Sequence, residues 1–232
     1  MTTRSRRTPR NPPPEVAPRT PAEPSSWRDY RHDLLPPLLS SALKSFTGHG
    51  YHGTTIRQLA EGAGLSVPGL YHHYPSKHAL LVAIMSHAMN DLWDRSNAAI
   101  AEAGDSVALQ FHHLVECLVL FHASRRDLAF IAFSEIRSLN PDAREHHIAA
   151  RDRQQRLLDA IVDRGVRDGV FTSEDPHLLS TAVITMCTGV SQWFQPEGAQ
   201  SPAQLAEKYC LIAGRAAGTT TTSVEPLRSH QP

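Results

Sequence analysis

Alternation of apolar and polar residues, the mark of a half-buried strand, is nearly absent from these 232 residues, which argues against a sheet-based fold. Cysteine is scarce. Cys117, Cys187 and Cys210 lie far apart with no C-x-x-C pair, so neither a disulfide framework nor a zinc site is expected. Buried, reduced thiols in a cytoplasmic protein fit that pattern. No run of about 18 uninterrupted apolar residues occurs, so no membrane span is expected. The basic N-terminus leads into prolines rather than an apolar segment, unlike a secretory signal. No acid–base pair, nucleophile–base pair or phosphate-binding loop stands out, so we expect no catalytic residues, no cofactor and no enzyme activity. His112-His113 and His146-His147 are adjacent on helices and point apart, which is poor metal geometry.

Net charge is also missing, since 23 basic and 23 acidic side chains cancel, but the cancellation hides an asymmetry. Residues 1–81 hold ten Lys/Arg and five Asp/Glu, and residues 82–232 hold thirteen and eighteen, giving +5 and −5. A positive end suits a polyanionic partner.

What is present is helical periodicity. The length suits one compact domain with an accessory, or two small domains. Residues 1–30, rich in Pro, Arg, Ser and Thr, and the tail 218–232 read as disordered. Between them the pattern predicts an all-α fold of about nine helices, divided into a unit over 31–80 and a second over 81–217. The first helix is expected over about 33–47, starting as late as Pro36 because of Pro36-Pro37. Thr55 and Gln58 form a capping box opening a short second helix. Gly64 makes a turn, Ser66 caps a third helix through His73, and Ser76 caps a long fourth. Later helices are predicted over about 106–123, 126–138, 141–168, 176–194 and 202–216.

Two short helices joined by a Gly-containing turn make a helix-turn-helix. Phe46, Gly50-Tyr51, Thr54-Thr55, Ile56, Leu59-Ala60, Ala63-Gly64-Leu65-Ser66, Leu70-Tyr71, Tyr74, Ser76-Lys77 and Leu80-Leu81 fall at characteristic spacings. At those positions the segment over roughly 34–82 resembles the DNA-binding domain of the TetR family of bacterial transcription regulators. The resemblance implies that helix three enters the major groove of double-stranded DNA and that Tyr71 donates to a phosphate. The residues themselves leave Val67, Pro68, Gly69, Tyr71, His72 and His73 near its outer side, with Ser66 as its cap. Val67 and Pro68 suit thymine methyl groups, and His72 suits a base edge. Lys77 and the N–H groups behind Ser76 form a second phosphate site, and Thr55 with Arg57 a third. Arg4, Arg6, Arg7 and Arg10 make either a minor-groove arm or a solvated tail.

The same resemblance implies a homodimer built from the last two helices, and a cavity for a small-molecule effector enclosed by helices four to seven. Phe111, Val115, Leu118, Phe121, Phe130, Phe133, Met186, Trp193 and Phe194 are its candidate lining, though each suits plain core as well. The C-terminal half, through Glu135, Arg137, Leu139, Pro141, Arg151, Gly165, Gly169, Phe171, Trp193, Pro196 and Gly198, is similar to TetR-type repressors that answer acyl-CoA thioesters. Arg144, Arg151, Arg153 and Arg156 are then candidates for the phosphates, or simply a solvated helix face. The leading expectation is a repressor released from a palindromic operator by a small apolar effector, with acyl-CoA thioesters among the candidates. The alternatives are a non-CoA hydrophobic effector, a ligand-independent DNA-binding or architectural protein, or a binding protein that has lost DNA.

Overall fold

The computed structural model describes residues 26–31 and 35–219. Arg4, Arg6, Arg7 and Arg10 lie outside them, as does the chain beyond 219. The described residues form nine α-helices: α1 (Pro37–His49), α2 (Ile56–Gly62), α3 (Val67–His73), α4 (Lys77–Glu102), α5 (Val107–Ser124), α6 (Arg126–Ser134), α7 (Pro141–Arg167), α8 (Pro176–Trp193) and α9 (Pro202–Ala216). A 3-10 turn over Glu135–Ser138 follows α6. Among them no strand is present.

The ends of these helices follow local chemistry. Pro36 precedes α1 and Pro37 opens it, because a ring that lacks an N–H loses nothing in a first turn. Side-chain oxygens of Thr55, Ser66, Ser76, Ser106, Asn140, Asp175 and Ser201 each accept a backbone N–H in the first turn they precede. The helix expected over 126–138 stops being α-helical at Glu135, where Ser138 Oγ donates to the Glu135 carboxylate at 2.6 Å.

α5 is the central helix, packing against α4, α7, α8 and α9. It is 18 residues long with mean hydropathy 1.2, enough by length and composition to cross a membrane, but 67% of it is buried inside the protein. Leu114, Val115, Cys117, Leu118 and Val119 on successive faces are wholly buried, as expected of a helix surrounded by others. Near the end of α7, a Cβ on Gly165 would fall 2.1 Å from the Phe171 ring, which in turn packs on Phe111 at 5.1 Å.

The expectation of disorder through residue 30 fails at Trp27. Its indole is 3% exposed, its Nε1 donates to Glu102 at 2.6 Å, and its ring lies 5.7 Å from that of His113. Arg28 pairs with Glu102 and Glu116, and Arg95 donates to the carbonyls of Trp27 and Asp29. Residues 26–31 thus lie on α4 and α5. The Pro- and Ser-rich composition masked two aromatic anchors, Trp27 and Tyr30, the latter packed against the core with the Arg95 guanidinium 4.0 Å from its ring centre.

Candidate nucleic-acid interface and effector cavity

Leu59 and Leu70 are fully buried where α2 and α3 meet the rest of the N-terminal unit, and Ile56 and Tyr74 are half-buried against the same core. Gly64 has φ +67° in the α2–α3 turn, where an L side chain would be strained. Nothing lies within 4 Å of where its Cβ would be. Its reason is therefore backbone conformation and not close helix approach.

This frame presents Pro68, Tyr71, His72 and His73 of α3 to solvent, with Tyr71 at 47% exposure. The His72 and His73 rings meet edge to face at 5.6 Å. Ser66 Oγ accepts from Gly69 N at 3.2 Å, so its hydroxyl is occupied with capping. Thr55 is similarly committed. Its Oγ1 accepts from Gln58 N at 3.3 Å and donates to Gln58 Oε1 at 2.9 Å. Arg57, one turn on, is exposed.

Two expected contacts take a different place. Val67 is half-buried and packs on the core, on the side of the first turn of α3 opposite the exposed Pro68. Lys77 Nζ donates to the carbonyls of Tyr51 and Thr54, each at 2.8 Å, and lies 4.5 Å over the Tyr51 ring. Its ammonium fastens the α1–α2 connection to the start of α4, with two of its three donors taken. Thr54 reinforces that connection, donating from Oγ1 to Ser45 O and Gly50 O at 3.1 and 2.8 Å.

The N-terminal unit meets the rest through α4, through the packing of α1 on α6, and through the turn after α6. Asn140 N donates to His78 Nε2 at 3.1 Å, and Ser138 Oγ is 3.3 Å from His52 Nε2. α4 continues for 26 residues, and Ala88, Met89 and Leu92 in its middle line a cavity of about 440 Å³. Leu118, Phe121 and His122 of α5, Ala129, Ala132 and Phe133 of α6, and residues of α7 and α8 complete the wall.

Of the residues expected to line a cavity, Leu118, Phe121, Phe133 and Arg151 do so. Phe111 and Val115 belong to the core on another side of α5, where Phe111 meets Phe171. Phe194 is likewise buried in the core. Phe130 is exposed on α6, Arg137 is exposed in the 3-10 turn, and Met186 and Trp193 face away on α8. An apolar residue on a helix has no label for which neighbour it meets, so the six apolar ones could not be separated by pattern.

Sequence reasoning missed the polar side of the cavity: His122, His147, Gln154, Gln155, Thr181, Thr185 and Thr188. The one available signal was polar residues at helical spacing inside otherwise apolar helices. Burial pushes His122 down to about 4, partly offset by its Nδ1–H donating to Leu118 O at 2.7 Å, so the ring is neutral near pH 7. Burial also lowers His147, against the opposing pull of the Ala132 carbonyl. Beside this cavity a groove between α4 and α7, lined by Arg153 and Arg156, shares Met89 and His147 with it.

On α8, Leu179, Val183, Cys187 and Val190 are buried in the core, whereas Leu178 is 62% and Trp193 52% exposed. Leu211 and Ile212 of α9 are exposed as well. The three thiols are buried and free, and burial pushes the Cys117 thiol up to about 12.

A family model described as bacterial regulatory proteins, tetR family, matches residues 38–84, and a tetracyclin repressor-like C-terminal domain matches residues 104–217. The TetR-family regulator PfmR from Thermus thermophilus is 31% identical, with a TM-score of 0.72 over 77% of this chain and 97% of that one. The chain belongs to the TetR family of bacterial regulatory proteins. It is accordingly an all-α helix-turn-helix transcription regulator, of a family that binds operator DNA and ligands. The HTH-type transcriptional repressor KstR2 of Mycolicibacterium smegmatis is 28% identical over 205 residues, covering 85% of this chain and 93% of that one. AibR, solved in complex with isovaleryl coenzyme A and operator DNA, shares the fold, with 22% identity and a TM-score of 0.67 over 78% and 97% of the two chains. Within this TetR-family fold the helix-turn-helix is α2–α3, and the cavity lies in the C-terminal domain.

Proposed function

We propose that this protein is a homodimeric repressor that leaves a near-palindromic operator when a small, largely apolar effector enters the cavity between α4 and α8. One observation carries the reading. A single helix, α4, starts at the helix-turn-helix and forms a wall of the cavity at Leu92, roughly 22 Å along its axis from Lys77. A ligand that displaces the Met89–Leu92 wall tilts the start of α4, which packs on α1, and α1 in turn carries α2 and with it α3. Two copies joined through the exposed faces of α8 and α9 would hold their α3 helices about 34–36 Å apart, or a multiple, and such a tilt changes that spacing. A coupling of about 1–3 kcal/mol per site is enough to loosen the operator.

The division into a DNA-reading unit up to about residue 80 and an effector unit beyond it is part of this reading. Pro68, Tyr71, His72, His73 and Arg57 are the proposed DNA-facing side chains, with Thr55, Ser66 and Gly69 supporting the backbone that presents them. A cavity of about 440 Å³ is in the lower half of the usual ligand range of about 300–1,000 Å³, so a whole acyl-CoA would not fit inside it. An acyl group inside, with phosphates in the α4–α7 groove near Arg153 and Arg156, is the arrangement that a thioester effector would need. The ligand-independent reading requires a closed C-terminal core, which this cavity disfavours. The test is operator affinity, measured by fluorescence anisotropy on a duplex selected with purified protein, with and without a cavity-bound ligand. The expected result is a weakening of about 5- to 150-fold per site. Unchanged affinity with the cavity demonstrably filled sinks the proposal.

A further inference from the structure

Two polar atoms in the cavity wall are buried without a partner, Gln154 Oε1 and His147 Nε2. Gln154 is 4% exposed, and its Nε2 donates to Ser96 Oγ at 2.7 Å, leaving Oε1 unmatched. His147 is 6% exposed. Its ring approaches the Ala132 carbonyl, and Nε2, an acceptor in the tautomer protonated at Nδ1, has no partner. The two residues are seven apart on α7, so they share a face and their acceptors are spaced roughly 10 Å along the axis. His122 lines the same cavity from α5. With Nδ1–H given to Leu118 O and the ring neutral, its Nε2 offers a lone pair. Buried acceptors left unmatched are costly, so a ligand that donates to them relieves a cost the cavity otherwise carries.

Charge narrows the donor. Asp152 and Arg151 line the cavity but are exposed, and no carboxylate is among its buried lining residues. An ammonium inside would lack a counter-ion, and a carboxylate would face lone pairs. Met89, Leu92, Leu118 and Phe121 make much of the remaining wall apolar, with the neutral side chains of Gln155, Thr181, Thr185 and Thr188 on its α7–α8 side. We infer that the cavity takes a compact, uncharged apolar molecule carrying hydroxyl groups toward both ends, whose O–H donors meet Gln154 Oε1 and His147 Nε2. The inference rests on the effector reading of this cavity and defines the buried part of the ligand, whether or not an anionic portion extends into the α4–α7 groove. A saturated acyl chain or a ketone would leave both acceptors empty.

The probes are 2,6-dihydroxynaphthalene, its dimethyl ether and naphthalene, titrated calorimetrically into the full-length protein. The ether keeps the ring and oxygens but lacks donors. The expected result is binding of the diol at least tenfold tighter than the ether. Gln154→Met and His147→Phe should each reduce that ratio below threefold while leaving naphthalene affinity within threefold, with circular dichroism reporting that the variants fold. A diol and ether within threefold of each other in the wild type overturn the inference, as does a ratio that both folded variants leave unchanged. Failure of every probe to bind up to its solubility limit also overturns it. If a variant does not fold, the wild-type series still decides. Operator affinity measured with the same diol separates the two readings. Selective binding without operator release keeps the ligand class and removes the release mechanism, and release by diol and ether alike does the reverse.

Discussion

The DNA-facing unit and the cavity handle polar groups in opposite ways. In α2, α3 and the start of α4, side-chain oxygens of Thr55, Ser66 and Ser76 bond to backbone only three residues away. In the cavity, Gln154 reaches Ser96 from 58 residues away, and its other end has no partner. Short-range bonds cap these helices, and Tyr71, His72 and His73, the proposed readers, are left exposed. The long-range bond in the cavity leaves an acceptor that a matching ligand would satisfy. On the proposed reading, one unit holds a shape and the other responds to content.

The largest expected effect breaks the presenting unit alone. Leu70→Ala removes a fully buried side chain from α3 and should destabilise the protein by about 2–5 kcal/mol in chemical denaturation. Specific operator binding should be lost while naphthalene still binds at a temperature where the C-terminal helices persist. Equal loss of both activities would mean that the two units are not separable.

Next comes the cavity's response to acid. Burial holds His122 near 4 in the folded protein, against an ordinary value of 6.5. Below pH 6.5 the unfolded chain takes up a proton that the native state refuses until about pH 4. The stability is therefore complete above pH 6.5 and lost as pH falls through that window, by on the order of 3 kcal/mol. Melting curves at pH 7 and pH 4.5 measure this, and His122→Gln should flatten part of the difference.

Lys77 sharpens the boundary between the units. Lys77→Met removes two charge-assisted hydrogen bonds and should cost about 1.5–3 kcal/mol of stability. It should weaken all duplexes while leaving the salt dependence of binding unchanged. A slope reduced by about one, with an unchanged melting temperature, would instead return Lys77 to the phosphate-gripping role. The smallest effects lie on the surface of α2 and α3. Ser66→Ala should cost about 1 kcal/mol through the lost cap. Arg57→Ala should leave stability unaltered and lower the salt slope by about one, read by anisotropy across a salt series.

Much of the fold was legible because its signals are local. The capping box at Thr55 and Gln58, the prolines at 36 and 37, and Gly64 each act within a few residues, so their positions predict helix ends directly. Trp27 was not legible for the opposite reason. Its partners Glu102 and His113 are 75 and 86 residues away, and its neighbours Ser26 and Arg28 resemble those of a solvated tail. The internal contacts of Lys77 were hidden in a related way. A lysine at a helix start suits an anion, and only the folded α1–α2 connection brings two carbonyls to it first.

The sequence by itself determined that the chain is helical, where most helices begin and end, and that two short ones form a helix-turn-helix of the TetR kind. Those properties depend on the 3.6-residue period and on caps, both local. Only the tertiary structure decided which faces of α5 and α8 line a cavity, which apolar residues are plain core, and that Gln154 and His147 share a buried wall. An apolar side chain gains by meeting any other, so its partner is chosen by the packing of whole helices and not by its own neighbours in the chain.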